Sequence, residues 1–99
     1  MRERRTILIT GATDGIGLAL ARIYKGRGER PLLLGRKPWS ELAHLAGEFV
    51  EADYCQTDLA AADAAECVTR FLDEQAIDRL DVVVHNAGVG FYGRFAEQS

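Results

Sequence analysis

Residues 10–17, which read TGATDGIG, form the part of the sequence whose residue types and spacing could do chemistry. Gly11 would let the chain turn sharply with a positive φ, and Gly15 leaves no Cβ where linked phosphates would approach the backbone. Gly17 would let a following helix pack close to a sheet. Because that helix would aim its first N–H groups and its positive dipole end at the same point, the segment predicts a pyrophosphate site. The alternative is a tight turn whose glycines serve packing alone.

Two charged residues, Asp14 and Arg36, bear on what such a site would hold. Asp14 places a negative charge near the phosphates, and we expect it to cap the helix instead. A binder of NAD usually carries a carboxylate roughly 20 residues past the glycine turn, but residues 34–37 read LGRK. The Arg36 guanidinium can bind a phosphate through paired donors, and Lys37 adds a second positive charge. We therefore expect NADP(H) to be preferred over NAD(H), unless Arg36 is simply an exposed loop cation.

The elements that must position these residues alternate along the chain. Apolar runs predict strands over residues 6–10, 31–34, 49–52 and 80–84. Helical spacing predicts helices over residues 15–25, 38–46 and 59–75. The face of the first helix that would meet the core carries Ile16, Ala19, Leu20 and Ile23. This alternation predicts an α/β fold of the doubly wound, Rossmann-like type, with about four parallel strands in the order 3-2-1-4 and three helices.

Composition narrows the function classes. The 99 residues suffice for one domain and not for two, so we treat 1–99 as a single cofactor-binding unit. A formal net charge of −3 argues against a nucleic-acid partner. Neither a signal peptide nor an apolar run of the ~20 residues that span a bilayer is present, so we expect no membrane partner. Cys55 and Cys67 are then expected to be free thiols of a cytoplasmic protein, and no zinc-ligand spacing is seen.

Several segments in the same order resemble the short-chain dehydrogenase/reductase family. Residues 10–17 resemble its T-G-x-x-x-G-x-G turn, Asp58-Leu59 resembles its Asp-Val/Leu pair, and residues 86–88 (NAG) resemble the end of its N-N-A-G segment. Gly93 and residues 95–99 resemble the entry to its next helix, whereas His85 departs from the first Asn of N-N-A-G. With the glycine turn, the resemblance implies a cofactor site lined by Gly11, Thr13, Asp14, Gly15, Ile16, Gly17, Arg36, Asp58, Leu59, Asn86, Ala87 and Gly88.

Catalysis in that family uses a Tyr proton donor with a Lys four residues later, together with a Ser and an Asn. No such Lys follows Tyr24, Tyr54 or Tyr92, so no catalytic residue is assigned. The resemblance implies NADP-dependent hydride transfer between a carbonyl and an alcohol, with this chain as a fragment that binds cofactor but is inactive alone. We expect the last strand to have a bare apolar edge, which a homo-oligomer or a complementing C-terminal segment would cover.

Two other functions share the glycine turn and stay open. A non-catalytic NADP-binding sensor or regulatory module on the same fold would also lack the Tyr-x-x-x-Lys pair. An S-adenosylmethionine methyltransferase also leads its first strand into a glycine turn, but it gives Arg36 and residues 86–88 no role and ranks last. The fold cannot decide between these classes, because it hosts many functions.

Overall fold

Four short strands form one parallel sheet in the computed structural model, which describes residues 4–86. They run in the order β3-β2-β1-β4 and comprise β1 (Thr6–Ile9), β2 (Arg30–Gly35), β3 (Tyr54–Gln56) and β4 (Val82–Val84). Ile9 of β1 pairs with Leu33 on one side and with Val84 on the other. The predicted α/β class and the predicted strand order are therefore confirmed.

The two central strands carry unbroken apolar runs, residues 7–9 and 31–34, because both faces of the sheet are covered. Successive side chains of a strand point to opposite faces. Ile7 and Ile9 accordingly join one apolar cluster, while Leu8 joins a second cluster with Leu32 and Leu34. This double burial explains why unbroken apolar runs, rather than alternating ones, predict these strands.

Two α-helices cover the sheet, α1 (Gly15–Gly26) and α2 (Ala64–Glu74). Helix α2 buries Phe71 in the second cluster, with Val68 and Leu72 packed beside it, as its sequence spacing predicts. None of the helices within residues 4–86 is long and apolar enough to cross a membrane.

The predicted core face of α1 is wrong except at Leu20, which does pack against the first cluster. Ile16 is 70% exposed and Ile23 is 50% exposed, whereas Leu18 and Ala21 are buried in the first cluster. The rotation follows from Gly17, whose backbone lies against the preceding turn and therefore fixes which side of the first helical turn faces inward. Close backbone packing thus overrides apolar spacing in this helix.

The helix predicted over 38–46 is not formed. A single 3-10 turn, Trp39–Glu41, is followed by further turns, and the two α-helices of residues 4–86 replace the three that were predicted. Pro38, in an extended conformation, starts the 3-10 turn, and the amide of Leu45 bonds to the Leu42 carbonyl at 2.9 Å. Leu42 and Leu45 still enter the core, so the apolar spacing marks burial without an α-helix.

The third strand lies at Tyr54–Gln56 instead of 49–52. Phe49 packs in the core, but a 3-10 turn occupies Glu51–Asp53, and Asp53 accepts a 2.9 Å bond from the Arg30 guanidinium of β2. The helix predicted over 59–75 begins only at Ala64, because residues 58–61 form a turn.

Candidate functional site

The glycine turn leaves the carboxyl end of β1 with the backbone conformations that glycine permits. Gly11 has φ +60° and Gly15 has φ +57°, both in the left-handed region that other residues rarely adopt. The positive φ predicted for Gly11 is therefore confirmed. Apart from its chain neighbours and the adjacent helix backbone, no atom of residues 4–86 lies within 4 Å of the position that a Cβ on Gly15 would occupy, so this part of the turn has room for a ligand.

Gly17 seats the helix against that turn. A Cβ there would lie 2.2 Å from the Gly11 carbonyl oxygen and 2.6 Å from Nδ2 of Asn86. The close packing predicted for Gly17 is thus real, and its nearest contacts are the turn's own backbone and the residue that follows β4 by two positions.

Thr10 and Asn86 join the carboxyl ends of β1 and β4. The Thr10 Oγ1 accepts a 2.8 Å bond from the Asn86 amide and donates to the Val84 carbonyl at 3.3 Å. The Asn86 side-chain amide in turn donates to the Gly11 carbonyl at 3.2 Å. Sequence reasoning treated Thr10 only as the first letter of the turn motif and missed this role, although a threonine directly before a turn glycine was the available signal.

The start of α1 presents amide groups beside the open side of the turn. The first bond within the helix runs from the Leu18 amide to the Asp14 carbonyl at 3.2 Å, so the amides of Gly15, Ile16 and Gly17 precede the helical ladder. Asp14 occupies the N-cap position in an extended conformation, but its exposed side chain makes no bond to the helix amides. The expected capping bond is therefore absent, which leaves the helix start available to an anion.

Thr13 lies where three parts of the structure meet. A Cβ on Gly35, at the end of β2, would lie 2.6 Å from the Thr13 methyl group. The imidazole Nε2 of His44 lies 2.8 Å from the Thr13 carbonyl oxygen, and the amide of the preceding Ala12 bonds to the Leu34 carbonyl at 3.1 Å. The turn is therefore fastened to β2 and to the segment that follows it.

Arg36 and Lys37 are exposed directly after β2. Their backbone is held by β3: the Tyr54 hydroxyl donates to the Lys37 carbonyl at 2.5 Å, and the Gln56 side chain donates to the Arg36 carbonyl at 3.3 Å. None of the ion pairs among residues 4–86 involves either cation. Two positive charges on a fixed backbone are therefore available beside the turn.

Asp58 and Leu59 follow β3 at the same end of the sheet. The amide of the buried Thr57 bonds to the Gly35 carbonyl at 2.8 Å, and the Asp58 carboxylate then accepts the Ala60 amide at 3.0 Å. Both Asp58 and Leu59 are exposed. The predicted site residues from Gly11 to Asn86 thus follow the carboxyl ends of four parallel strands, while Ala87 and Gly88 lie outside the described residues, as do Tyr92, Gly93 and 95–99.

The two thiols belong to the second apolar cluster: Cys55 is part of it and Cys67 packs against it. Cys55 and Cys67 are free, and burial, together with the neighbouring Cys67, raises the pKa of the Cys55 thiol to about 12. Burial also raises the pKa of Tyr54, whose hydroxyl is engaged with Lys37. Over residues 4–86 no group of three or more His, Cys, Asp or Glu side chains could hold a metal ion.

Comparison with known proteins agrees with this geometry. The family model for short chain dehydrogenases matches residues 5–99. A parallel sheet of this order with a glycine turn after its first strand is typical of Rossmann-like folds. The chain belongs to the short-chain dehydrogenase/reductase family, whose members bind NAD(P)(H) and act as oxidoreductases.

Individual relatives are longer than this chain. The chain is 40% identical over 98 residues to the proposed daunorubicin C-13 ketoreductase DnrU of Streptomyces sp. (strain C5), covering 95% of this chain and 34% of that protein. It is 34% identical over 100 residues to the oxidoreductase UcpA of Escherichia coli (strain K12), covering 96% of this chain and 36% of that protein. A crystal structure of a short chain dehydrogenase from Salmonella enterica serovar Typhi str. CT18 matches with a TM-score of 0.67 and 37% identity. The match covers 87% of this chain and 37% of that protein. The chain therefore spans about a third of the length of these relatives.

Proposed function

We propose that this chain holds the adenosine and pyrophosphate half of NADP(H) for an oxidoreductase that interconverts a carbonyl and an alcohol. The observation that carries the proposal is the turn after β1, where Gly11 and Gly15 are both left-handed and the space beside Gly15, at the start of α1, is unfilled by the described residues. Phosphate oxygens placed there would accept hydrogen bonds from the N–H groups of Gly15, Ile16 and Gly17. They would also lie at the positive end of the helix dipole.

The remaining site residues position this turn or bind the adenosine. The bonds of Thr10 and Asn86 hold Gly11 in place, so the turn keeps its shape before any ligand arrives. Asp58 and Leu59, exposed at the end of β3, are assigned by family resemblance to the adenine ring. When bound, the cofactor supplies hydride transfer at its nicotinamide C4, and the protein's part is binding and orientation.

The preference for NADP(H) rests on Arg36 and Lys37. Their side chains are exposed while their carbonyls are held by β3, so two cations stand ready at the end of β2 without an ion-pair partner among residues 4–86. A 2′-phosphate on the adenosine ribose would bind the Arg36 guanidinium through paired hydrogen bonds. A carboxylate at this position would instead repel that phosphate.

Proton transfer to or from the substrate needs groups that these 99 residues do not contain, because no Tyr is followed four residues later by Lys. We therefore propose that the chain alone binds cofactor without turning over a substrate. The second candidate, a non-catalytic NADP-binding sensor, would use the same turn and the same cofactor. In either case we propose that the outer side of β4, whose valines are only half-buried, is covered by further polypeptide or a second copy.

Titration of the folded chain with NADPH and NADH by calorimetry tests the proposal. We expect both to bind and NADPH to bind more tightly. Arg36→Ser should lower the affinity for NADPH by about tenfold or more, since hydrogen bonds to charged groups contribute roughly 1.5–3 kcal/mol. The affinity for NADH should stay nearly unchanged. Arg27→Ser, which alters an exposed arginine at the opposite end of α1, is the matched control. Absence of binding heat with either dinucleotide in a cooperatively folded sample would contradict the proposal.

A further inference from the structure

His44 is an exposed residue held in place by its buried neighbours. Leu42 and Leu45 on either side of it are 2% and 0% exposed, so the backbone of the segment is anchored in the core. The imidazole reaches the glycine turn, where its Nε2 lies 2.8 Å from the Thr13 carbonyl oxygen. No sequence motif marked this residue, and the cofactor site described above does not include it.

The partner atom fixes the role of the imidazole nitrogen. A carbonyl oxygen only accepts hydrogen bonds, so Nε2 must carry the proton and donate it. Both the neutral tautomer protonated at Nε2 and the imidazolium possess this donor. The contact therefore needs a side chain with an N–H donor of suitable reach, and it does not need the positive charge.

The accepting carbonyl belongs to the peptide plane that leads into the helix. In a trans peptide the C=O of Thr13 and the N–H of Asp14 lie in one rigid plane and point in opposite directions. A bond to the carbonyl consequently restrains the Asp14 amide, which directly precedes the left-handed Gly15 and the first amides of α1. The Thr13 side chain already abuts Gly35, so the His44 bond adds a second restraint on the same residue.

We propose that His44 is a positioning residue for the dinucleotide's pyrophosphate, acting by donating its Nε2–H to the Thr13 carbonyl. The inference rests on the proposed function, since it names a residue that shapes the same site. An oriented turn loses less conformational freedom on binding phosphate, so the bond raises cofactor affinity without touching the cofactor.

This role has a signature that separates it from the role of Arg36. NADPH and NADH share the pyrophosphate and differ at the adenosine 2′ position. His44→Ala should therefore weaken both dinucleotides by the same factor, about three- to tenfold, which is the range expected for one neutral hydrogen bond. Arg36→Ser, in contrast, should weaken NADPH selectively. His44→Gln retains an N–H donor and should recover most of the loss.

The experiment is calorimetric titration of wild type, His44→Ala, His44→Gln and the control Ser40→Ala with both dinucleotides, beside thermal unfolding of each. Ser40 is an exposed residue of the same segment. A ¹H–¹⁵N spectrum of the histidine ring, expected to show a protonated Nε2 on His44, reports on the bond without any cofactor.

The outcomes separate the two proposals. Equal losses for NADPH and NADH in His44→Ala, with recovery in His44→Gln, support the inference. If wild type binds and His44→Ala binds as Ser40→Ala does, the inference is wrong while the proposed function stands. A loss confined to NADPH would also overturn it, because His44 would then act on the 2′-phosphate. Failure of the folded wild type to bind either dinucleotide contradicts the proposed function itself.

Discussion

Replacing Gly17 by alanine tests how tightly the helix start is seated on the turn. The added Cβ would lie 2.2 Å from the Gly11 carbonyl oxygen, and real Cβ contacts essentially never fall below 3.0 Å. That oxygen also accepts the Asn86 side chain at 3.2 Å, so moving it strains a second bond. Backbone must therefore shift, and no flexible side chain can absorb the change by itself.

The magnitude follows from two opposing effects. Overpacking costs about 1–3 kcal/mol, and loosening the Asn86 bond adds about 1 kcal/mol. Alanine in a helix regains roughly 1 kcal/mol over glycine. We expect Gly17→Ala to lower the free energy of unfolding by a net ~1–3 kcal/mol and to weaken NADPH binding as well, because the first amides of α1 are displaced.

Gly26→Ala is the matched control, since the same substitution in the same helix meets nothing within 4 Å. It should raise the free energy of unfolding by about 0.5–1 kcal/mol. Urea denaturation followed by circular dichroism measures both variants. The steric reasoning is refuted if Gly17→Ala matches or exceeds the stability of Gly26→Ala.

Two further predictions concern buried polar groups. Thr10→Val keeps the shape of a residue that is 3% exposed but removes the hydroxyl bonded to Asn86. It should lower the free energy of unfolding, measured by urea denaturation, by about 1–3 kcal/mol. The control Thr69→Val, on the exposed face of α2, should lower it far less. Burial raises the pKa of Cys55 from 9.0 to about 12, so between these pH values the unfolded thiol loses its proton while the folded one keeps it. Stability should therefore fall as pH rises above 9, and Cys55→Ala should show a shallower fall in denaturation midpoints between pH 8 and 10. Equal slopes for wild type and Cys55→Ala would contradict this reasoning.

Local residue chemistry was enough to predict the turn and the central strands, and their order followed from the alternation of strands and helices with the usual doubly wound topology. Gly11 could be predicted because a positive φ is a property of one residue, and β1 and β2 because burial on both faces leaves an unbroken apolar run. The third strand was misplaced because Tyr54–Gln56 is short and ends in an exposed polar residue, whereas Phe49 and Val50 have stronger strand character but precede a 3-10 turn and belong to no strand.

Features that depend on contacts distant in sequence could not be predicted. The exposure of Ile16 follows from the contact of Gly17 with Gly11 and Asn86, which no helical periodicity records. The contact of His44 with Thr13 joins residues 31 positions apart, and His44 lies within residues 38–46, which were predicted to be a helix. The Thr10 hydroxyl likewise donates to Val84 of β4 and accepts from the Asn86 amide, both more than 70 positions away.

The hydroxyl of Thr10 makes the glycine turn and the end of β4 energetically interdependent. Its two bonds exist only when β4 is docked beside β1, and the Gly11 carbonyl is held only when Asn86 is in place. A dinucleotide that binds the ordered turn therefore also stabilises the pairing of β4 with β1. Because such coupling is reciprocal, an interaction that stabilises β4 in the sheet raises the affinity for the dinucleotide by the same factor. The affinity for a dinucleotide and the stability of β4 in the sheet are therefore coupled.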